Sequence, residues 1–300
     1  VTYAEGYSSV PTQNRHALLL EAVDAARKAD VVIFVGGLNK NENQDCEGAD
    51  RRSLNLPYGQ DELIGELARV NRNLVAVIIS GNAVAMPWVN EVPAIVEAWY
   101  GGTEAGNAIA SVLAGEVNPS GKLPFTFPVR LEDNPAIALD AYPGDGKQVE
   151  YKEGIFVGYR WNDRERIKPL FCFGHGLSYT TFEYGKVTAE GRQMGPDGTI
   201  TVSVPVKNTG SRAGAEIVQL YVSDLKSSLP RPVKELKGFR KITLQPGQEQ
   251  TVSFTIDRKA LSFYDDTKQD WVAEPGTFEA LVGASACDIR GKAAFELTAR

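Results

Sequence analysis

Residues 31–60, VVIFVGGLNKNENQDCEGADRRSLNLPYGQ, gather side chains able to move protons into one polar loop. Four acids, Glu42, Asp45, Glu47 and Asp50, share one short stretch and run straight into Arg51 and Arg52. A carboxyl group serves as proton donor, proton acceptor or nucleophile according to the surroundings that set its pKa. An acid in a charged loop is more often simply solvated, and pattern alone does not choose among the four.

The elements around this stretch say where it sits. Val31–Val35 is a continuous apolar run of strand type that stops at Gly36-Gly37. The acids follow, the loop closes at Leu54-Asn55-Leu56-Pro57, and a helical pattern begins with Pro57 as its first residue, where a missing N–H costs nothing. Leu63, Ile64, Leu67 and Ala68 then line one face. A strand that opens into a polar loop and returns as a helix builds sites at the carboxyl ends of an open α/β sheet.

The same unit recurs on both sides. Residues 15–29 read as a helix, with Leu18, Leu19, Ala22, Val23 and Ala26 at helical spacing, ended by Asp30. Leu74–Ser80 and Ala94–Trp99 read as buried strands. Residues 103–115 read as a helix with Thr103 as N-cap and Gly115 as its stop. Lys122–Phe127 reads as a last strand. Alternating apolar strands and amphipathic helices predict a three-layer α/β/α sandwich with a mostly parallel sheet covered on both faces. Three or four strands are few for a doubly wound domain, so strands are expected either unrecognised near the start or upstream of Val1.

Residues 129–186 lack periodicity but are rich in aromatics and charges, the wrong composition for a floppy linker. They read as an ordered connector. From Thr199 the period becomes two: Val202, Val204 and Val206 alternate with Thr201, Ser203 and Pro205. Further strands read at Ile217–Val222, Glu235–Leu244, Thr251–Ile256, Thr277–Val282 and Ala294–Leu297, with Gly or Pro turns between several of them, which predicts an antiparallel β-sandwich. Pro205 is expected at a sheet edge. The divisions are residues 1–130, 131–186 and 187–300.

Composition narrows the partners. With 43% hydrophobic and 23% charged residues the chain has an ordinary globular balance. A net charge of −6 without a basic stripe argues against nucleic acid. No apolar run is long enough to span a bilayer, and residues 1–20 carry no signal-peptide pattern. Cys46, Cys172 and Cys287 are widely spaced and odd in number, with no zinc-ligand spacing, so neither a metal site nor dependence on disulfides is expected. Neither GxGxxG nor GxxxxGK[ST] is present at Gly36-Gly37, and Ser80-Gly81-Asn82 is no GxSxG elbow; no cofactor is expected. His16 reads as a surface residue and His175 as a turn residue bonding backbone. Trp88, Trp99 and Trp161 suit packing more than sugar stacking. Tyr100 and Glu104 read as helix-start residues near the cleft.

Five ordered segments resemble the C-terminal portion of glycoside hydrolase family 3, the β-glucosidases and β-xylosidases. They are Glu47-Gly48-Ala49-Asp50-Arg51 with Leu54-Asn55-Leu56-Pro57 and Gln60; Tyr100-Gly101-Gly102-Thr103-Glu104-Ala105-Gly106; Asn118-Pro119-Ser120-Gly121-Lys122-Leu123-Pro124; Tyr151-Lys152-Glu153-Gly154 through Arg160 with Phe173-Gly174-His175-Gly176-Leu177-Ser178-Tyr179; and Asn208-Thr209-Gly210 with Gly214-Ala215-Glu216, Gln219-Leu220-Tyr221 and Glu235-Leu236-Lys237-Gly238-Phe239.

The resemblance implies an α/β sandwich followed by a fibronectin type III-like domain. It also implies an N-terminal (β/α)8 barrel, outside these residues, that supplies a nucleophilic Asp and most sugar contacts. The implied activity is that of a retaining, exo-acting β-glycosidase in a periplasmic or extracellular setting. Such chemistry needs two carboxyl groups about 5–5.5 Å apart, one attacking the anomeric carbon and one protonating the leaving oxygen. A loop carboxyl facing another domain across a cleft suits the second role, because desolvation on closure favours the neutral acid. The family motif puts that role on Glu47, with Glu42 and Asp45 as neighbours to which a shifted alignment would lead. Asp50 and Arg51 read as loop-fixing residues, a task that suits a bidentate arginine–carboxylate contact. The alternative reading is a non-catalytic carbohydrate-binding or scaffolding module derived from the same family.

Overall fold

The computed structural model describes residues 1–10, 14–49 and 51–299. Asp50 therefore lies outside the described residues. The chain divides into two compact units, residues 1–114 with 128–131, and residues 115–127 with 132–300.

In the first unit α1 (Arg15–Lys28) leads into β1 (Val32–Gly37), and α2 (Gln60–Val70) into β2 (Leu74–Ile79). β3 (Ala94–Glu97) and α3 (Ala105–Leu113) follow. Asn14 caps α1, its side chain accepting the Ala17 N–H at 3.2 Å. Pro57 opens a 3₁₀ turn, Pro57–Gly59, that feeds α2. The strands form a parallel sheet in the order β1-β2-β3. Its register places Gly37 beside Ile79, and Ile78 beside Glu97, so the loops after all three strands leave from one end of the sheet. Ala22, Val23 and Ala26 of α1 and Leu63, Ile64, Leu67 and Ala68 of α2 are buried, as are Phe34, Ala76 and Ile78 of the sheet.

The pattern predicted cover on both faces. On β1 it is one-sided: Phe34 is 5% exposed, whereas Ile33 and Val35, on the opposite face, are 51% and 50% exposed. Thr103 does not cap α3; residues Gly102–Glu104 form a 3₁₀ turn and Glu104 occupies the cap position. Lys122–Phe127 forms no strand beyond a bridge from Phe127 to Phe171.

The second unit is built on β4 (Phe182–Tyr184), β5 (Thr188–Ala189), β6 (Gln193–Met194), β7 (Thr199–Asn208), β8 (Gly214–Asp224), β9 (Glu235–Leu244) and β10 (Glu249–Asp257). It is completed by β11 (Phe263–Asp265), β12 (Asp270–Val272), β13 (Gly276–Ser285) and β14 (Asp288–Leu297). One sheet runs β10-β7-β4 with β5 also on β7, and the other runs β6-β14-β13-β8-β9. Val202, Val204 and Val206 from the first and Val218, Leu220 and Val282 from the second are buried in a single core, which is why period two was legible. Pro205 is not at an outer edge. β7 is interior, and Pro205 sits where its second neighbour changes from β4 to β5, so its missing N–H falls at a break in the ladder.

Alternation fails on β8, where Tyr221 is fully buried although it faces away from that core. Residues of the aromatic stretch cover it: Tyr159 meets Tyr221 edge-on at 5.8 Å and stacks on Phe173 at 5.2 Å. The Ala286 N–H donates to the Phe173 carbonyl at 2.9 Å. That bond brings the two flanking cysteines together, and Cys172 and Cys287 form a disulfide across 115 residues, which the sequence reading did not expect. Their separation hides the pairing until the aromatic stretch docks. His175 also differs from expectation: its ring stacks on Phe171 at 5.3 Å, and burial with nearby Lys122 pushes it below the ordinary histidine value.

Candidate active site

The acidic loop leaves β1 through two glycines that the packing demands. Gly37 has φ of 139°, and a Cβ there would land on the Ile79 carbonyl. Gln60, fully buried at the head of α2, locks both ends of the loop. Its Oε1 accepts the Gly37 N–H at 2.6 Å, and its Nε2 donates to the carbonyls of Gly37 at 2.8 Å and Pro57 at 3.0 Å. Asp61 adds a second clasp, accepting the Leu56 N–H at 3.0 Å and the Trp88 indole N–H at 2.9 Å. Burial pushes its carboxyl up, and those bonds oppose the rise. Trp88 is thus a packed residue, 2% exposed.

Between the clasps the acids separate. Glu42 and Glu47 are exposed, whereas Asp45 is 9% exposed and accepts three hydrogen bonds. Glu47, not Glu42, lines an open pocket of about 470 Å³ together with Lys40, Asp45, Arg51 and Asn82. Among the described residues the Glu47 carboxylate has no hydrogen-bond or ion-pair partner. Arg51 does fix the loop, and among the described residues it does so through carbonyl oxygens: Nη2 donates to Asn82 Oδ1 and to the Ala83 carbonyl, each at 2.5 Å. Partial burial lowers its pKa, while Asp45 acts against that. Lys40 lies over the Tyr100 ring, 4.6 Å from its centre.

Glu97 is the residue that pattern reading passed over. It ends β3, and its Oε2 is buried with no partner among the described residues. Oε1 accepts the Trp99 N–H at 3.3 Å and lies 3.1 Å from Ser80 Oγ. Ser80 Oγ is also 2.8 Å from the Asn82 carbonyl. One hydroxyl proton cannot serve two acceptors. The Ser80 hydroxyl therefore serves Glu97 Oε1 or the Asn82 carbonyl but not both at once, and Glu97 Oε2 keeps no partner among the described residues. Burial, reinforced by the charge of Asp45, pushes Glu97 up to about 7. The signal available in the sequence was an acid closing an apolar run, AIVE.

The site thus sits on a loop at the strand ends of a parallel α/β sheet, in a chain whose second unit is an antiparallel β-sandwich. The glycosyl hydrolase family 3 C-terminal domain matches residues 4–159, and a fibronectin type III-like domain matches residues 216–286. The chain belongs to glycoside hydrolase family 3.

It is 56% identical over 308 residues to the β-glucosidase BoGH3A of Bacteroides ovatus, covering 99% of this chain and 41% of that protein. With thermostable β-glucosidase B of Acetivibrio thermocellus it shares 47% identity over 289 residues, covering 96% of this chain and 38% of that one. Among solved structures, the β-glucosidase from Kluyveromyces marxianus in complex with glucose superimposes with a TM-score of 0.90 at 40% identity, over 96% of this chain and 34% of that one. The Bifidobacterium adolescentis β-glucosidase gives 0.91 at 37% identity, over 98% and 43%. The chain thus spans about two fifths of the length of these relatives. No helix among the described residues is long and apolar enough to cross a membrane.

Proposed function

We propose that the chain is the C-terminal portion of a retaining, exo-acting β-glycosidase acting on terminal β-linked sugars, with Glu47 as general acid/base. The observation that carries this is the sorting of the loop acids: Glu47 is exposed, lines the pocket and has no partner among the described residues, while its neighbour Asp45 is buried and committed. In the first step an Asp from the N-terminal barrel attacks the anomeric carbon as the bond to the leaving oxygen breaks, and Glu47 gives that oxygen its proton. In the second, Glu47 takes a proton from water, whose oxygen attacks the same carbon and releases the Asp. Lys40, Arg51 and Asn82 offer donors to sugar hydroxyls at the rim.

A periplasmic or extracellular setting accords with the Cys172–Cys287 disulfide, since such bonds persist in oxidising compartments. The test uses the polypeptide that joins this chain to a family 3 barrel. Glu47→Gln is expected to lower kcat/KM, which reports the first step, by about 100-fold or more for β-glucosides with poor leaving groups while sparing that of activated aryl glucosides. Equal losses on both refute the assignment. Turnover by this chain alone refutes the placement of the nucleophile elsewhere.

A further inference from the structure

Asp45 stands two residues before Glu47 and lines the same pocket, but unlike Glu47 it is buried. Its Oδ2 accepts the Gly81 N–H at 2.5 Å and the Tyr100 hydroxyl at 2.8 Å, and its Oδ1 accepts Asn82 Nδ2 at 2.6 Å. These donors come from the segments that follow β2 and β3, so one carboxylate ties the acidic loop to both neighbouring strand ends. Hydrogen bonds to a charged acceptor are about twice as strong as neutral ones. Burial and the bond to Asp45 push the Tyr100 hydroxyl up, which keeps it a donor.

The attachment is continued by Asn82, whose Oδ1 accepts from Arg51 on the far side of Glu47. Within the loop the Asp45 N–H donates to the Asn39 carbonyl at 3.0 Å, and Gln44 Oε1 accepts the Asn39 N–H at 3.0 Å. Glu47 therefore stands, without a partner among the described residues, on a short bridge between two fixed points. Gly48, at φ of 81° with open space around its Cβ position, adds no support of its own.

We propose that Asp45, with Tyr100 and Asn82, is the positioning group that sets where the Glu47 carboxyl stands in the pocket. The proposal rests on the reading of Glu47 as acid/base. A proton donor displaced by about 1 Å can lose about 100-fold in rate, and the loss falls on substrates whose leaving group needs the proton.

The experiment uses the polypeptide that joins this chain to a family 3 barrel, with aryl β-glucosides of graded leaving-group acidity. Asp45→Ala is expected to lower kcat/KM about 100-fold for alkyl and unactivated aryl glucosides but only about fivefold for dinitrophenyl glucoside. Tyr100→Phe and Asp45→Asn, which keep part of the cluster, are expected near tenfold on the poor substrates. In a Glu47→Ala background, Asp45→Ala should add less than about twofold, because residues acting through one group are not additive. Equal loss across leaving groups, or a full further loss in that background, overturns the positioning role. If Glu47→Ala itself shows no leaving-group dependence, the acid/base reading falls and the proposal with it. If Glu47→Ala shows it and Asp45→Ala and Tyr100→Phe do not, the proposal alone falls.

Discussion

Replacing Glu97 with glutamine should change how stability depends on pH more than it changes stability itself. Glu97 stands at about 7 in the folded chain against an ordinary 4.5. The folded form holds its proton more tightly than the unfolded form. The carboxyl therefore imposes no penalty below pH about 4.5, costs progressively more as pH rises, and reaches its full cost above about 7. At about 1.4 kcal/mol per pKa unit the full cost is about 3 kcal/mol, of which about 2 kcal/mol falls between pH 5.5 and 8. Glutamine has the same shape and no titration. Its Oε1 can keep the bonds from Trp99 and Ser80, but its amide nitrogen becomes a buried donor with no partner among the described residues, a constant handicap of about 1 kcal/mol. Urea titrations read by pulse-labelling mass spectrometry of β2 peptides report the first unit alone. Relative to wild type, the variant should gain about 2 kcal/mol on going from pH 5.5 to 8. Stability curves that stay parallel across that range would mean Glu97 is ionised throughout, and burial would not be holding its proton.

Two further outcomes follow from the packing. Cys172→Ser with Cys287→Ser should destabilise the second unit by about 2–4 kcal/mol, seen as a lower melting temperature that dithiothreitol no longer shifts, while β2 exchange in the first unit is unchanged. Gly37→Ala should cost about 4 kcal/mol or more, since its Cβ meets a backbone carbonyl that cannot yield and φ is positive; soluble yield and β2 protection report it, and near-normal protection would contradict the close approach.

The elements were legible where a residue's neighbours in sequence are also its environment. Helix spacing marked α1 and α2, and period two marked β7, because one face of each is buried and the other is not. The EGADR segment was legible as a motif, and it led to Glu47 before any geometry. The sequence could not rank Asp45 against Glu47, because both are acids in one polar loop. Burial separates them, and that burial depends on donors from Gly81, Asn82 and Tyr100, far along the chain. Glu97 was hidden for the same reason. Its carboxyl is pushed up by desolvation against the bonds from Trp99 and Ser80, a feature of the assembled strand ends and not of the run AIVE. The Cys172–Cys287 bond likewise required the aromatic stretch to dock on β8 first. Sequence alone thus determined the kind of unit and the motif it carries. Tertiary structure decided which carboxyl is exposed, which is buried among donors and which is pushed toward its neutral form, because these are set by solvent exclusion and by donors distant in the chain.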